Sequence, residues 1–84
     1  MSRRVVLTKE AEAEFVTLPA TIQARVVRVL ERLMAWPSVS GAKALRGDLK
    51  GHYRIRTGDW RVIFRVENDV IVVRIAHRSE VYDD

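Results

Sequence analysis

From Ala20 to Trp36 apolar residues recur with helical spacing: Ile22, Val26, Val29, Leu33 and Trp36, widened by Val27, Leu30 and Met34. Gln23, Arg25, Arg28, Glu31 and Arg32 fill the polar positions. A face this wide suits packing on a sheet, with a margin left over. A shorter helix precedes it, with Thr8 as N-cap, Ala11, Phe15 and Leu18 as its apolar stripe, and Glu10, Glu12 and Glu14 near its positive end. Pro19 separates the two helices and Pro37 ends the second. Elsewhere the period changes to two. Tyr53 and Ile55 alternate with Arg54 and Arg56, and Trp60, Val62, Phe64 and Val66 alternate with Arg61 and Arg65. Successive strand side chains face opposite ways. The two runs therefore predict a hairpin around Thr57-Gly58-Asp59, apolar on one face and cationic on the other.

Arg4–Leu7 predicts a short opening strand. Ser38–Ala42 reads as a loop, and residues 45–51 as a glycine-punctuated approach to the hairpin anchored by Leu45 and Leu49. After a turn at Glu67-Asn68-Asp69, the run from Val70 to Ala76 is apolar on both faces, as expected of a central strand. The element order is β-α-α-β-β-β. This predicts an α+β fold, a small antiparallel sheet with two N-terminal helices packed on one face. Residues 1–84 form one domain.

Charge sharpens the picture. The net charge is +4, but residues 43–65 carry seven Lys/Arg against two Asp, while beyond residue 66 five acids face two arginines. Strand parity sets Arg56 opposite Arg61, Arg54 opposite Ile63 and Arg61 opposite Ala76, with Val72 and Arg74 on the arginine face. Like charges directly opposite destabilise a sheet, so this face is expected to meet a polyanion. The chain has no cysteine and two histidines far apart, which offers no thiolate metal site and argues for no cofactor. No apolar run has membrane-spanning length and the N-terminus lacks a signal-peptide core, so the expected compartment is the cytoplasm and no membrane is a partner.

Arginine forks suit phosphate, and several converging on one phosphodiester stabilise charge developing on a phosphorane. Cutting RNA without a metal also needs a base for the 2′-OH proton and an acid for the leaving 5′-oxygen. Arginine stays protonated and serves as neither. His77 offers an imidazole, Tyr82 a phenol and Glu80 a carboxylate. Each has a plainer alternative. His77 can end its strand against Trp60, Tyr82 can cap the sheet, Glu80 can pair with Arg78 or Arg74, and His52 can be a solvated residue at the start of a strand.

Taken together, Leu18-Pro19, Gln23-Ala24-Arg25, Leu45-Arg46-Gly47, the stretch from Tyr53 to Phe64 and the ending His77-Arg78-Ser79-Glu80-Val81-Tyr82 resemble the RelE/ParE superfamily of bacterial toxins, the RelE side above all. The resemblance implies a RelE-like, microbial ribonuclease-like fold. It further implies the toxin of a type II toxin–antitoxin system, a metal-independent, ribosome-dependent endoribonuclease that cuts mRNA in the ribosomal A site. Implied partners are the ribosome and mRNA, a small acidic cognate antitoxin with a DNA-binding N-terminal domain, and operator DNA only as the toxin–antitoxin complex.

By the same resemblance, Arg54 and Arg56 stand where RelE enzymes carry lysines. Arg61 matches an arginine on the scissile phosphate, Arg78 a basic position, and Tyr82 a tyrosine that stacks on or orients a base. His77 matches a C-terminal histidine of several related toxins. A family arginine is replaced by Ala76. These six residues, Arg54, Arg56, Arg61, His77, Arg78 and Tyr82, are the candidate catalytic set. Lys43, Arg46, Lys50, His52, Arg65 and Arg74 complete the candidate RNA-binding surface. The alternatives are a ParE-like inhibitor of DNA gyrase, or a degenerate toxin that only binds antitoxin or nucleic acid.

Overall fold

The computed structural model describes residues 2–81. Strand β1 (Val5–Leu7) leads into helices α1 (Lys9–Val16) and α2 (Ala20–Leu33). There follow β2 (Lys43–Ala44), a 3-10 turn at Gly47–Leu49, and strands β3 (His52–Thr57), β4 (Trp60–Val66) and β5 (Val70–His77). The sheet order is β1-β5-β4-β3-β2.

Local chemistry explains most of the boundaries. The Thr8 hydroxyl accepts from the Ala11 amide at 3.2 Å and caps α1. Pro19 is the N-cap of α2 and contributes no amide of its own. Helix α2 ends at Leu33, three residues before the expected Trp36. Pro37 disfavours helical backbone at the residue before it, and residues 34–37 close as turns. The hairpin loop is Gly58-Asp59, since Thr57 already pairs with Trp60. Gly58 sits at φ +61°, as the first central residue of a tight hairpin turn requires.

The α+β architecture matches the sequence reading, with two differences. Strand β1 pairs in parallel with β5, Val5 opposite Val70 through Leu7 opposite Val72, so the sheet is mixed rather than wholly antiparallel. The connection between these parallel neighbours runs through both helices and then strands β2, β3 and β4. Strand β2 pairs antiparallel with β3, Lys43 opposite Arg54 and Ala44 opposite Tyr53. Two exposed residues carry no alternation from which a strand is legible.

The core lies between the helices and one sheet face. Val26, Val29 and Leu33 of α2 and Ala11 of α1 meet Ile55, Val62, Phe64, Val72 and Ile75, all buried. Trp36 adds an aromatic cluster, its ring centroid 4.8 Å from Tyr53 and 5.3 Å from Phe64. A β-bulge interrupts the β4–β5 register between Ile63 and Phe64: Ile63 faces Arg74 but Phe64 faces Val72. The extra residue, Val73, reverses parity. Val72 therefore enters the core at 0% exposure instead of joining the arginine face, while Arg74 keeps its expected place opposite Ile63.

At the other end of the sheet the Arg4 guanidinium meets Asp69 at 2.8 Å, pinning β1 to the β4–β5 turn. The hydrogen bond, and then the charge of Asp69, raise the pKa of Arg4 above its ordinary value. No helix among the described residues is long and apolar enough to cross a membrane.

Candidate nucleic-acid interface

The sheet face opposite the helices gathers the cations in rows set by strand register. One row runs Lys43, Arg54, Ile63, Arg74 across β2, β3, β4 and β5, and its neighbour runs Arg56, Arg61, Ala76. A third places His52 beside Arg65 and Ile71. Cross-strand partners share a face, so Lys43, Arg54, Arg56 and Arg61 form one contiguous cationic surface. The expected oppositions of Arg56 with Arg61 and Arg54 with Ile63 are present.

These cations are not equally accessible. Lys43 and Arg56 are exposed, whereas Arg54 and Arg61 retain 7% of their surface each. The Arg61 guanidinium turns back toward the hairpin loop and donates to the carbonyls of Gly58 and Trp60, both at 3.3 Å. A uniformly presented arginine comb is thus replaced by two outer cations over a floor of two buried ones. The apolar stems lie along the sheet, and the loop carbonyls orient the Arg61 guanidinium.

Arg74 belongs to the first row but is engaged elsewhere. Its Nε donates to Glu14 Oε2 at 2.8 Å, and the second carboxylate oxygen of Glu14 accepts from the Ile75 amide at 2.8 Å. Strand β1 pairs β5 only along Val70–Val72, which leaves the rest of that edge for α1. The Thr8 amide donates to the Val72 carbonyl at 3.0 Å, and Glu14 continues the cover. Glu14 reads at first as one of several acids near a helix start. Its spacing of three from Ala11 and four from Leu18 sets it on the buried stripe, and that was the available signal.

The remaining candidates scatter. Arg65 pairs with Glu67 at 2.9 Å. Arg46 and Lys50 flank the 3-10 turn and are exposed. Arg78 donates its amide to the Asp59 carbonyl at 2.8 Å and holds its guanidinium 3.9 Å from the Asp59 carboxylate. His77 lies opposite Trp60, on the helix-covered side of the sheet, with the two ring centroids 5.4 Å apart edge to face. Its Nδ1 accepts from the Ser79 amide at 3.2 Å and lies 2.9 Å from the Ser79 hydroxyl. Register parity alone separates it from Arg61, so the expected sharing of one face by His77 and the arginines is not found. Tyr82 lies outside the described residues.

Glu80 is placed differently. It lines a cavity of about 490 Å³ together with Ile63 and Arg74 of the cationic face, the 45–49 segment and Val81. Of the two described candidates for proton transfer, His77 and Glu80, it is the carboxylate that borders the arginine rows.

A cationic sheet face backed by two helices in so small a chain defines the class, a compact α+β domain with one cationic sheet face. The chain belongs to the family described as ParE toxin of type II toxin–antitoxin system, parDE, whose model matches residues 5–82. It is also similar to Toxin RelE of Mycobacterium tuberculosis, 35% identical across 93% of this chain and 84% of that one. Toxin RelG of the same organism is 28% identical across 98% of both. Among solved structures, the toxin–antitoxin complex RelBE2 from Mycobacterium tuberculosis superposes with a TM-score of 0.80 at 27% identity, covering 93% of this chain and 100% of that one. The chain is thus a type II toxin–antitoxin toxin of the RelE/ParE superfamily.

Proposed function

We propose that this toxin is a ribosome-dependent endoribonuclease that cuts mRNA and so arrests translation in the cytoplasm. The observation that carries the reading is the contiguous set Lys43, Arg54, Arg56 and Arg61 on one sheet face. The names RelE and RelG of its relatives support it. The outer cations, Lys43 and Arg56, grip the RNA backbone. The buried guanidinium groups beneath stabilise charge that develops on the phosphoryl oxygens.

In the reaction the 2′-oxygen attacks the neighbouring phosphorus, a 2′,3′-cyclic phosphate forms and the bond to the 5′-oxygen breaks. One proton leaves the 2′-OH and one joins the 5′-oxygen. Glu80 borders the cationic face and is assigned the first transfer. Tyr82, next in the chain after Val81, is assigned the second. His77 is assigned the positioning of the strand end against Trp60 rather than proton transfer.

The partner is a cognate antitoxin whose acidic segment covers the arginine rows. A groove of about 340 Å³ lined by Val5, Val27, Leu30 and Met34 together with Arg3, Arg4 and Glu31 is its candidate seat. Two observations favour a second reading, a ParE-like inhibitor of gyrase: the match to the ParE family, and Ala76 opposite Arg61 where a further basic residue would complete the site.

Mapping mRNA 5′ ends after inducing the chain in a bacterium separates the two. Codon-phased cuts support the nuclease, and Glu80→Gln lowers cleavage about 10²-fold or more if it is the base, whereas His77→Ala leaves most of it. SOS induction with intact mRNA would instead support gyrase inhibition.

A further inference from the structure

The cavity beside the arginine rows has a composition that phosphate binding alone does not explain. Its floor is Ile63, 1% exposed, and its walls are Leu45, Leu49 and Val81, with Arg46, Asp48 and Glu80 among the polar residues that line it. At about 490 Å³ it falls within the roughly 300–1,000 Å³ of small-molecule sites, which are mostly apolar with a few placed polar groups. The other face of the sheet is already covered by helices. Here a second apolar surface is built on the cationic side by folding the 45–49 segment over β4.

Register fixes what adjoins it. Ile63 stands between Arg54 and Arg74 in one row, and Arg61, two residues away on the same strand and face, lies in the next. A ligand seated on Ile63 thus has a cationic surface immediately to one side, and Glu80 within the same cavity. We propose that this cavity receives a nucleobase, that of the nucleotide whose 3′-phosphate rests on the arginine rows. This deepens the nuclease reading and rests on it. A base is flat and apolar on its faces, matching Leu45, Leu49, Ile63 and Val81. Its polar edge needs donors and acceptors, matching Arg46 and Asp48. Seating the base here brings the ribose of that nucleotide, and its 2′-OH, to the Glu80 side. The pocket thereby selects which nucleotide precedes the cut, and sequence preference follows from side chains outside the phosphate-binding rows.

The test is a methyl NMR titration of the isolated chain with each of the four nucleoside 3′-monophosphates, with inorganic phosphate and ribose 5-phosphate as controls. At least one nucleotide is expected to shift the methyl signals of Ile63, Leu49 and Val81, and neither control to do so. Leu49→Ala should weaken that nucleotide about tenfold, the effect of removing an apolar wall from a pocket, while phosphate binding followed at Arg56 is retained. Methyl signals that stay still while Arg56 responds, or that move equally with inorganic phosphate, overturn the pocket. Silence at both surfaces overturns the pocket and the phosphate rows together. RNA cleavage without methyl shifts refutes the pocket and leaves the nuclease reading standing. Methyl shifts without cleavage do the reverse.

Discussion

Replacing Glu14 by alanine should destabilise this domain more than any other surface-accessible substitution in α1. The carboxylate makes two contacts at 2.8 Å, one from the Ile75 amide and one from Arg74 Nε, bridging sixty residues of sequence. A hydrogen bond to a charged acceptor contributes about 1.5–3 kcal/mol, and its loss leaves a part-buried amide unsatisfied. The ion pair adds less. With side-chain exposures of 33% for Arg74 and 23% for Glu14, solvent screens it toward the roughly 0.2–1 kcal/mol of exposed pairs. Glu14→Ala should therefore cost about 2–3 kcal/mol. In a domain of this size that lowers the thermal midpoint by roughly 10 °C or more. Glu14→Gln retains an acceptor for Ile75 but loses the charge, and should cost about half as much. Urea denaturation followed by far-UV circular dichroism measures both, with Arg74→Met completing a double-mutant cycle. A Glu14→Ala protein within about 0.5 kcal/mol of the parent, the usual range for an inconsequential surface change, would refute the claim that α1 closes the β5 edge.

The same geometry separates two arginines by role. Arg56→Ala should weaken single-stranded RNA binding and flatten its salt dependence by about 0.7 in log–log slope, whereas Arg74→Ala, already neutralised by Glu14, should leave the slope nearly unchanged in a fluorescence-anisotropy titration. Gly58→Ala should lose about 1–2 kcal/mol in denaturation, because an alanine must adopt the positive φ of +61° at a left-handed penalty. Its new Cβ would also stand 3.0 Å from the Arg25 guanidinium, which a flexible side chain can relieve. Thr8→Ala should cost about 1 kcal/mol through the lost cap of α1, seen as a lower urea midpoint with an unchanged slope.

Period and punctuation make most of this fold legible in the sequence. The Thr8 cap, the Pro19 break, the hairpin register and the central position of β5 all follow from residue types at fixed spacings. The illegible parts share a physical cause, namely tertiary contacts that leave no periodic trace. Strand β2 is two residues long and exposed on both, so its pairing with β3 is decided by the partner rather than by its own sequence. The bulge at Val73 falls inside an unbroken β-branched run, Val70-Ile71-Val72-Val73, where either parity buries a suitable side chain. The site suffered accordingly. The β3–β4 rows, Arg54 with Ile63 and Arg56 with Arg61, follow from strand parity, and so does Trp60 opposite His77. That last pair also fixes the face of His77. Trp60 is a core-face residue, and its cross-strand partner must share that face.

That constraint bears directly on catalysis. Each row of the sheet offers its residues to one side only, so a histidine that packs on Trp60 cannot also serve a phosphate held by Arg61 unless the strand end unwinds. Under the proposed nuclease reading, the proton-transfer groups then come from beyond β5, where alternation no longer binds them to a face. Glu80 and Val81 already line the cavity on the arginine side, although His77, three residues before Glu80, faces the helices. The turn at 78–80, fastened by the Glu80 amide to the His77 carbonyl at 2.8 Å and the Arg78 amide to Asp59 at 2.8 Å, is what carries the chain from one side to the other. A Ser79→Pro substitution keeps both of those amides and removes the Ser79 amide and hydroxyl from His77 Nδ1. If the turn rather than the imidazole positions Glu80, cleavage should survive Ser79→Pro and His77→Ala alike, and fall when Asp59 and Arg78 are uncoupled by shortening the hairpin loop.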